Sequence, residues 1–167
     1  MPLLLSLNSK VVLQDSKKTK ILFLDDFFIS YRKTKMKKGQ FIHSIRIPLF
    51  KYNTFKAYKV SKRFDDDISS VCAAFNLEII KNKVRTARIA YGGMAATPKR
   101  AIYCEKILSN SLVTDETIYK AKKALEKDFN PISDMRASRL YRMEVAKNLL
   151  EKFCTEIKQK KLIGVYL

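Results

Sequence analysis

A glycine pair, Gly92-Gly93, marks the point where the hydrophobic period of this chain changes. Upstream of it, Phe55 to Lys62, Val71 to Ile80 and Val84 to Tyr91 are rich in β-branched and aromatic residues and have strand length. Asn82 sits between the last two runs, where a tight hairpin turn is expected. Downstream, apolar residues recur every three to four positions, the period of a helix face. Glycine at the junction permits the positive φ that other residues resist. Strands followed by a run of helices specify an α+β fold, not an alternating βαβ one. The expectation is an antiparallel sheet of about three to four strands packed against a three-helix C-terminal layer.

The helical third carries its own start and stop signals. Thr97-Pro98 predicts a helix start, with Thr97 as N-cap and Pro98 in the first turn. Thr114 predicts a second cap, with Asp115 and Glu116 in the first turn and lysines toward the end, as the helix dipole favours. Asn130-Pro131 ends that helix. The longest helix is expected from about Ser133 to Gln159, with Tyr141, Val145, Leu149, Phe153 and Ile157 in one row. Arg139, Arg142, Lys147, Glu151 and Lys158 are assigned to its opposite, polar side.

The N-terminal part reads differently. Met1 to Asn8 suggests a short buried element, and Lys10 to Leu13 and Thr19 to Leu24 a hairpin turned by Asp15 to Lys18. A strand is expected from Gln40 to Leu49, with Phe41, Ile45, Ile47 and Leu49 on one face and Ile42, Ser44 and Arg46 on the other. His43, the single histidine, shares the apolar parity and is expected to be a hydrogen-bonded structural residue.

Composition narrows the function classes. The 167 residues carry 47% hydrophobic and 30% charged side chains, enough for a globular core. Cys72, Cys104 and Cys154 are odd in number and form no C-x-x-C pair, which argues against a disulfide scaffold or a cysteine metal site. They are expected to act as small buried hydrophobes in a reducing, cytoplasmic compartment. No run approaches the ~18 apolar residues of a membrane span. A net charge of +18 suggests an acidic partner, but the lysines are scattered as short pairs without an aromatic recognition motif. Nucleic-acid binding is therefore the least favoured reading; a lysine-rich solvated surface, or one facing an acidic subunit, is preferred.

No catalytic dyad or triad, P-loop, G-x-G-x-x-G or metal-ligand spacing can be assembled, so no catalytic and no metal-binding residue is assigned. Five segments nevertheless fall in a recognisable order. They are Phe27 to Thr34, Phe41 to Pro48, Lys59 to Ile68, Tyr91 to Ala95, and Ser133 to Ser138 ahead of Tyr141-Arg142-Met143. Together they resemble the flavin unit of xanthine dehydrogenases and related molybdenum hydroxylases, the CO dehydrogenase flavoprotein C-terminal domain family.

The resemblance implies a division into residues 1–36, a C-terminal remnant of an FAD-binding domain, 37–160, the C-terminal domain proper, and 161–167, a tail. It implies that FAD receives electrons from iron–sulfur clusters, which drain a molybdenum cofactor, and that NAD is the acceptor. Ile42 would pack against the flavin ring and Lys59 would stand beside the isoalloxazine, where an ammonium favours the reduced, anionic flavin. Asp66 and Asp67 would border the flavin and the nicotinamide pocket, and Tyr31 and Arg32 the NAD cleft. The glycine-rich loops that cradle the FAD diphosphate in this family have no counterpart here, nor do its cluster-binding cysteines. FAD binding is thus expected only with an upstream FAD-binding segment, and the chain is expected to be a truncated or split piece. Its partners would be that upstream iron–sulfur and FAD segment and a molybdenum-binding large subunit. A folded remnant that binds no flavin is the alternative from another class.

Overall fold

The computed structural model describes residues 1–50, 53–63 and 68–159. Helix α1 (Pro2–Ser6) leads into β1 (Lys10–Gln14) and β2 (Thr19–Phe23), a hairpin whose turn is tied by Asp15 Oδ1 accepting from the amides of Lys17 and Lys18. A 3-10 turn at Leu24–Asp26 precedes a small ribbon, β3 (Phe28–Ser30) and β4 (Lys33–Thr34). Strand β5 (Phe41–Arg46) then returns to pair with β1, giving a three-stranded sheet of order β2-β1-β5. The segment expected to open the second domain thus hydrogen-bonds to the first sheet.

A bulge alters the predicted faces of β5. Val12 pairs with Ser44 and Leu13 with Ile42, so His43 is the extra residue. Residues opposite each other share a face, which puts Ile42 and Ile45 together beside Leu13 and Val11 and separates Ile42 from the assigned polar side. His43 is exposed, its Nδ1 3.2 Å from Ser44 Oγ, and Phe41 is exposed too.

The second sheet has the order β6-β7-β8-β9 and is antiparallel throughout: β6 (Asn53–Val60), β7 (Val71–Ile80), β8 (Lys83–Gly92) and β9 (Lys99–Arg100). Lys81 and Asn82 both take positive φ in the β7–β8 turn, the conformation a two-residue hairpin requires. Three helices cover one face: α2 (Ile102–Leu108), α3 (Asp115–Asp128) and α4 (Arg139–Gln159). Phe75 is the centre of this core, stacked on Phe153 at 4.8 Å and edge-on to Tyr91 at 5.8 Å. Tyr91 is fully buried and donates its hydroxyl to the Ala146 carbonyl. Cys104 and Cys154 lie in the same core as free thiols, and burial pushes the Cys154 thiol up to about 12.

Three helix predictions need correction. Thr97-Pro98 opens no helix: Lys99–Arg100 first adds a short strand to the sheet, and α2 starts at Ile102 behind Ala101, which offers no side-chain cap. The amides of Tyr103 and Cys104 instead donate to the Asp128 carboxylate, brought from the end of α3. Helix α4 starts at Arg139, not Ser133, because Asp134 accepts from the amides of Arg136 and Ala137 and folds that stretch into a turn. Ser138 then caps the helix through the Tyr141 amide. Arg142, assigned to the polar side, is only 3% exposed. The Thr114 cap stands as expected, its hydroxyl accepting from the Thr117 amide.

Candidate functional site

The other face of the second sheet carries a different set of side chains. Lys59 on β6 pairs with Cys72 on β7, and Cys72 with Gly92 on β8, so the three form one row across the sheet. Ala74, Asn76, Arg88 and Ala90 extend this face with small and polar groups. Helix α1 packs here because its C-terminal carbonyls find donors: Asn76 Nδ2 reaches Ser6 O at 3.0 Å, and Arg88 reaches Leu5 O at 2.9 Å. Pro2 fits because Gly92 lacks a side chain; a Cβ there would lie 3.1 Å from Pro2 Cγ.

Where the row meets α1, an open cleft of about 470 Å³ is lined by Met1, Pro2, Lys59, Cys72, Gly93 and Arg136, among others. Lys59 is exposed at its edge. Burial pushes the Cys72 thiol up, an effect opposed by the N-terminus and Lys59. The floor is organised by Arg142, whose Nη1 donates to the carbonyls of Ser70 and Gly93 and whose Nη2 reaches Asp134 Oδ1 at 2.6 Å. Its Nε is buried without a hydrogen-bond partner among the described residues. Gly93 takes φ +81°, and a Cβ on it would stand 2.3 Å from Ser70 O. The start of β7, the end of β8 and the turn before α4 therefore converge on one buried guanidinium. Hydrogen bonds from the Arg136 amide and from Arg142 hold the Asp134 carboxyl below its ordinary range.

A second clasp joins the two sheets. Asp25 accepts from Arg88 and Arg100, both at 3.0 Å, and Arg100 also pairs with Glu105, which is buried and accepts from the Ile89 amide. Burial pushes the Glu105 carboxyl up, against the pull of Arg100.

Lys59 thus lies in a cleft that also holds Arg136, Arg142 and Asp134, the last engaged by Arg142. Ile42 is exposed on β5, in the first sheet. Tyr31 and Arg32 form the two-residue turn of the β3–β4 ribbon, Arg32 stacked over the Tyr31 ring at 5.3 Å. None of these three lines the Lys59 cleft. Asp66 and Asp67 lie outside the described residues, as does the 161–167 tail. Among the described residues no cluster of His, Cys, Asp or Glu could hold a metal, and no helix is long and apolar enough to cross a membrane. Arg142 was missed, yet its signal was present: it precedes Ala146, Leu149 and Phe153 on one helical stripe.

The arrangement fits one wall of a site for a group that gains negative charge, an ammonium and a guanidinium facing a cleft floored by glycines. Residues 56–157 match the CO dehydrogenase flavoprotein C-terminal domain, and residues 1–50 the FAD binding domain in molybdopterin dehydrogenase. The chain is 30% identical over 159 residues to the glyceraldehyde dehydrogenase medium chain of Sulfolobus acidocaldarius, covering 94% of this chain and 56% of that one. It is 35% identical over 133 residues to xanthine dehydrogenase of Emericella nidulans, covering 77% of this chain and 10% of that one. A crystal structure of Cu,Mo-CO dehydrogenase superposes with a TM-score of 0.83 at 26% identity, over 90% of this chain and 53% of the other. The chain spans about half the length of the medium-chain relatives, and far less of the larger one. The C-terminal match takes in both faces of the second sheet and all three covering helices, and the chain belongs to the CO dehydrogenase flavoprotein C-terminal domain family.

Proposed function

We propose that this chain forms one wall of the FAD site in a xanthine dehydrogenase-like oxidoreductase, where electrons pass from iron–sulfur centres through FAD to NAD. The observation that carries it is the Lys59–Cys72–Gly92 row opening into a cationic cleft beside α1. FAD, when bound, supplies the electron-accepting ring. Lys59 contributes positive charge that favours the reduced ring, and Arg142 fixes the backbone on which Gly93 and Ser70 stand. Ile42, Tyr31, Arg32, Asp66 and Asp67 would complete the surroundings of flavin and nicotinamide.

The glycine-rich segment that grips the FAD diphosphate in relatives would come from an upstream iron–sulfur and FAD segment. The molybdenum cofactor would reside on a large subunit. Three free cysteines support a reducing, cytoplasmic setting.

The test supplies the FAD-binding segment of a relative in trans and titrates the mixture with FAD. A shifted visible flavin spectrum is expected with the full chain, and Lys59→Ala should lower the flavin reduction potential. A spectrum that the chain leaves unchanged would defeat the proposal in favour of a folded remnant without flavin.

A further inference from the structure

Among the described residues, the three most exposed large hydrophobic side chains after Leu49 are Met135 at 84%, Leu140 at 78% and Ile132 at 74%, all within nine residues of chain. This exposure does not come from a loosely held segment. Ser133 Oγ accepts from the Arg139 amide at 2.9 Å, and Asp134 and Ser138 tie the intervening turns. From the sheet side, Lys62 donates to the Met135 carbonyl and the Ser70 hydroxyl to that of Arg136. The backbone is fixed while the apolar side chains face outward, so little ordering cost attends a contact made there.

Beside this segment, a cleft of about 420 Å³ between the end of α3 and the start of α4 shows Phe129, Leu140 and Met143. The carboxylates nearby are already engaged. Asp134 pairs with Arg142, while Glu126 and Glu144 both pair with Lys147, at 2.8 and 3.2 Å. The Arg139 guanidinium, by contrast, has no ion pair among the described residues. The face therefore offers apolar side chains with a guanidinium, that of Arg139, beside them that no carboxylate among the described residues pairs. Methionine, tyrosine and arginine are the residue types enriched in protein interfaces, and exposed apolar groups on a solitary soluble domain are usually scattered. A second copy of this chain is a poor occupant, because two bodies of net charge +18 repel.

We propose that the Ile132–Tyr141 segment and the adjoining cleft are the docking face for a protein partner whose surface has an apolar centre and a carboxylate rim. This rests on the subunit assembly proposed above. The experiment measures binding of the full chain to the molybdenum-binding subunit of its own source, in wild type and in Met135→Glu, Leu140→Glu, Arg139→Gln and Leu112→Glu, each checked for unchanged thermal unfolding. Wild-type binding weakened about tenfold or more by Met135→Glu and by Leu140→Glu is expected, with Leu112→Glu, exposed elsewhere, binding as wild type. Arg139→Gln should weaken binding less and flatten its salt dependence. Wild-type affinity in the Met135 and Leu140 variants would overturn the docking face and leave the assembly standing. Failure of the wild type itself to bind would remove the assembly and the docking face together. Binding to RNA or DNA lost in the same variants would replace the protein partner and overturn the proposal.

Discussion

The two faces of the β6–β9 sheet are built from the same strands and solve opposite problems. On the helix side, Val71, Ala73, Phe75, Leu77, Ile89 and Tyr91 interlock with α2, α3 and α4 in a closed core. On the α1 side, the residues in between are small or polar, and they meet backbone: Asn76 and Arg88 take the last carbonyls of α1, and Gly92 admits Pro2. Period-2 alternation decides which residue serves which face. One face buries aromatic rings; the other buries small side chains under α1 and adds hydrogen bonds and an opening.

Substitutions that respect this division sharpen it, and the largest effect belongs to the closed face. Phe75→Ala should lower stability by about 3–5 kcal/mol in denaturant unfolding, since the ring holds both Phe153 and Tyr91 in place. Gly93→Ala follows, at about 2 kcal/mol or more, because the new methyl group meets Ser70 O and the positive φ resists it. Asn76→Ala on the α1 face should cost about 1–2 kcal/mol by stranding the Ser6 carbonyl, and should raise amide exchange in α1 ahead of the helices α2–α4.

An acid titration sharpens the same division at the cleft floor. The folded pKa of Asp134 lies below its ordinary value, so its contribution is present above an unfolded pKa of about 3.9 and is lost as pH falls past it. Denaturant midpoints measured from pH 6 to pH 3 should fall less steeply in Asp134→Asn. The smallest stability change belongs to Lys59→Ala, an exposed strand residue; a melting temperature that dropped by many degrees would place Lys59 in the scaffold and break the contrast between the faces.

The sequence declared most of the sheet openly. Strand-length runs of β-branched and aromatic residues marked β6 to β8, Asn82 marked the β7–β8 turn, and Thr114 marked the start of α3, because each of these signals acts through neighbours in the chain. The errors arose where distant groups intervene. Asp128 caps α2 from 24 residues away, so the local Thr97-Pro98 signal was misleading. The β5 bulge depends on pairing with β1, which no window over β5 alone reveals. At the site, Lys59 was singled out by its motif, but the neighbours that define its cleft come from residue 1, from β8 and from the turn before α4. Arg142 looked polar and solvent-facing because residue type was weighed above position on the stripe.

The cap that Asp128 provides reaches beyond the start of one helix. A seven-residue helix is far too short to persist unaided, and the first amides of α2 depend on a carboxylate from the last turn of α3. Loosening the end of α3 therefore withdraws the support of α2 in the same event. The two helices open and close as one cooperative unit, so the amides of Tyr103 and Cys104 should exchange with solvent at the rate at which α3 unwinds.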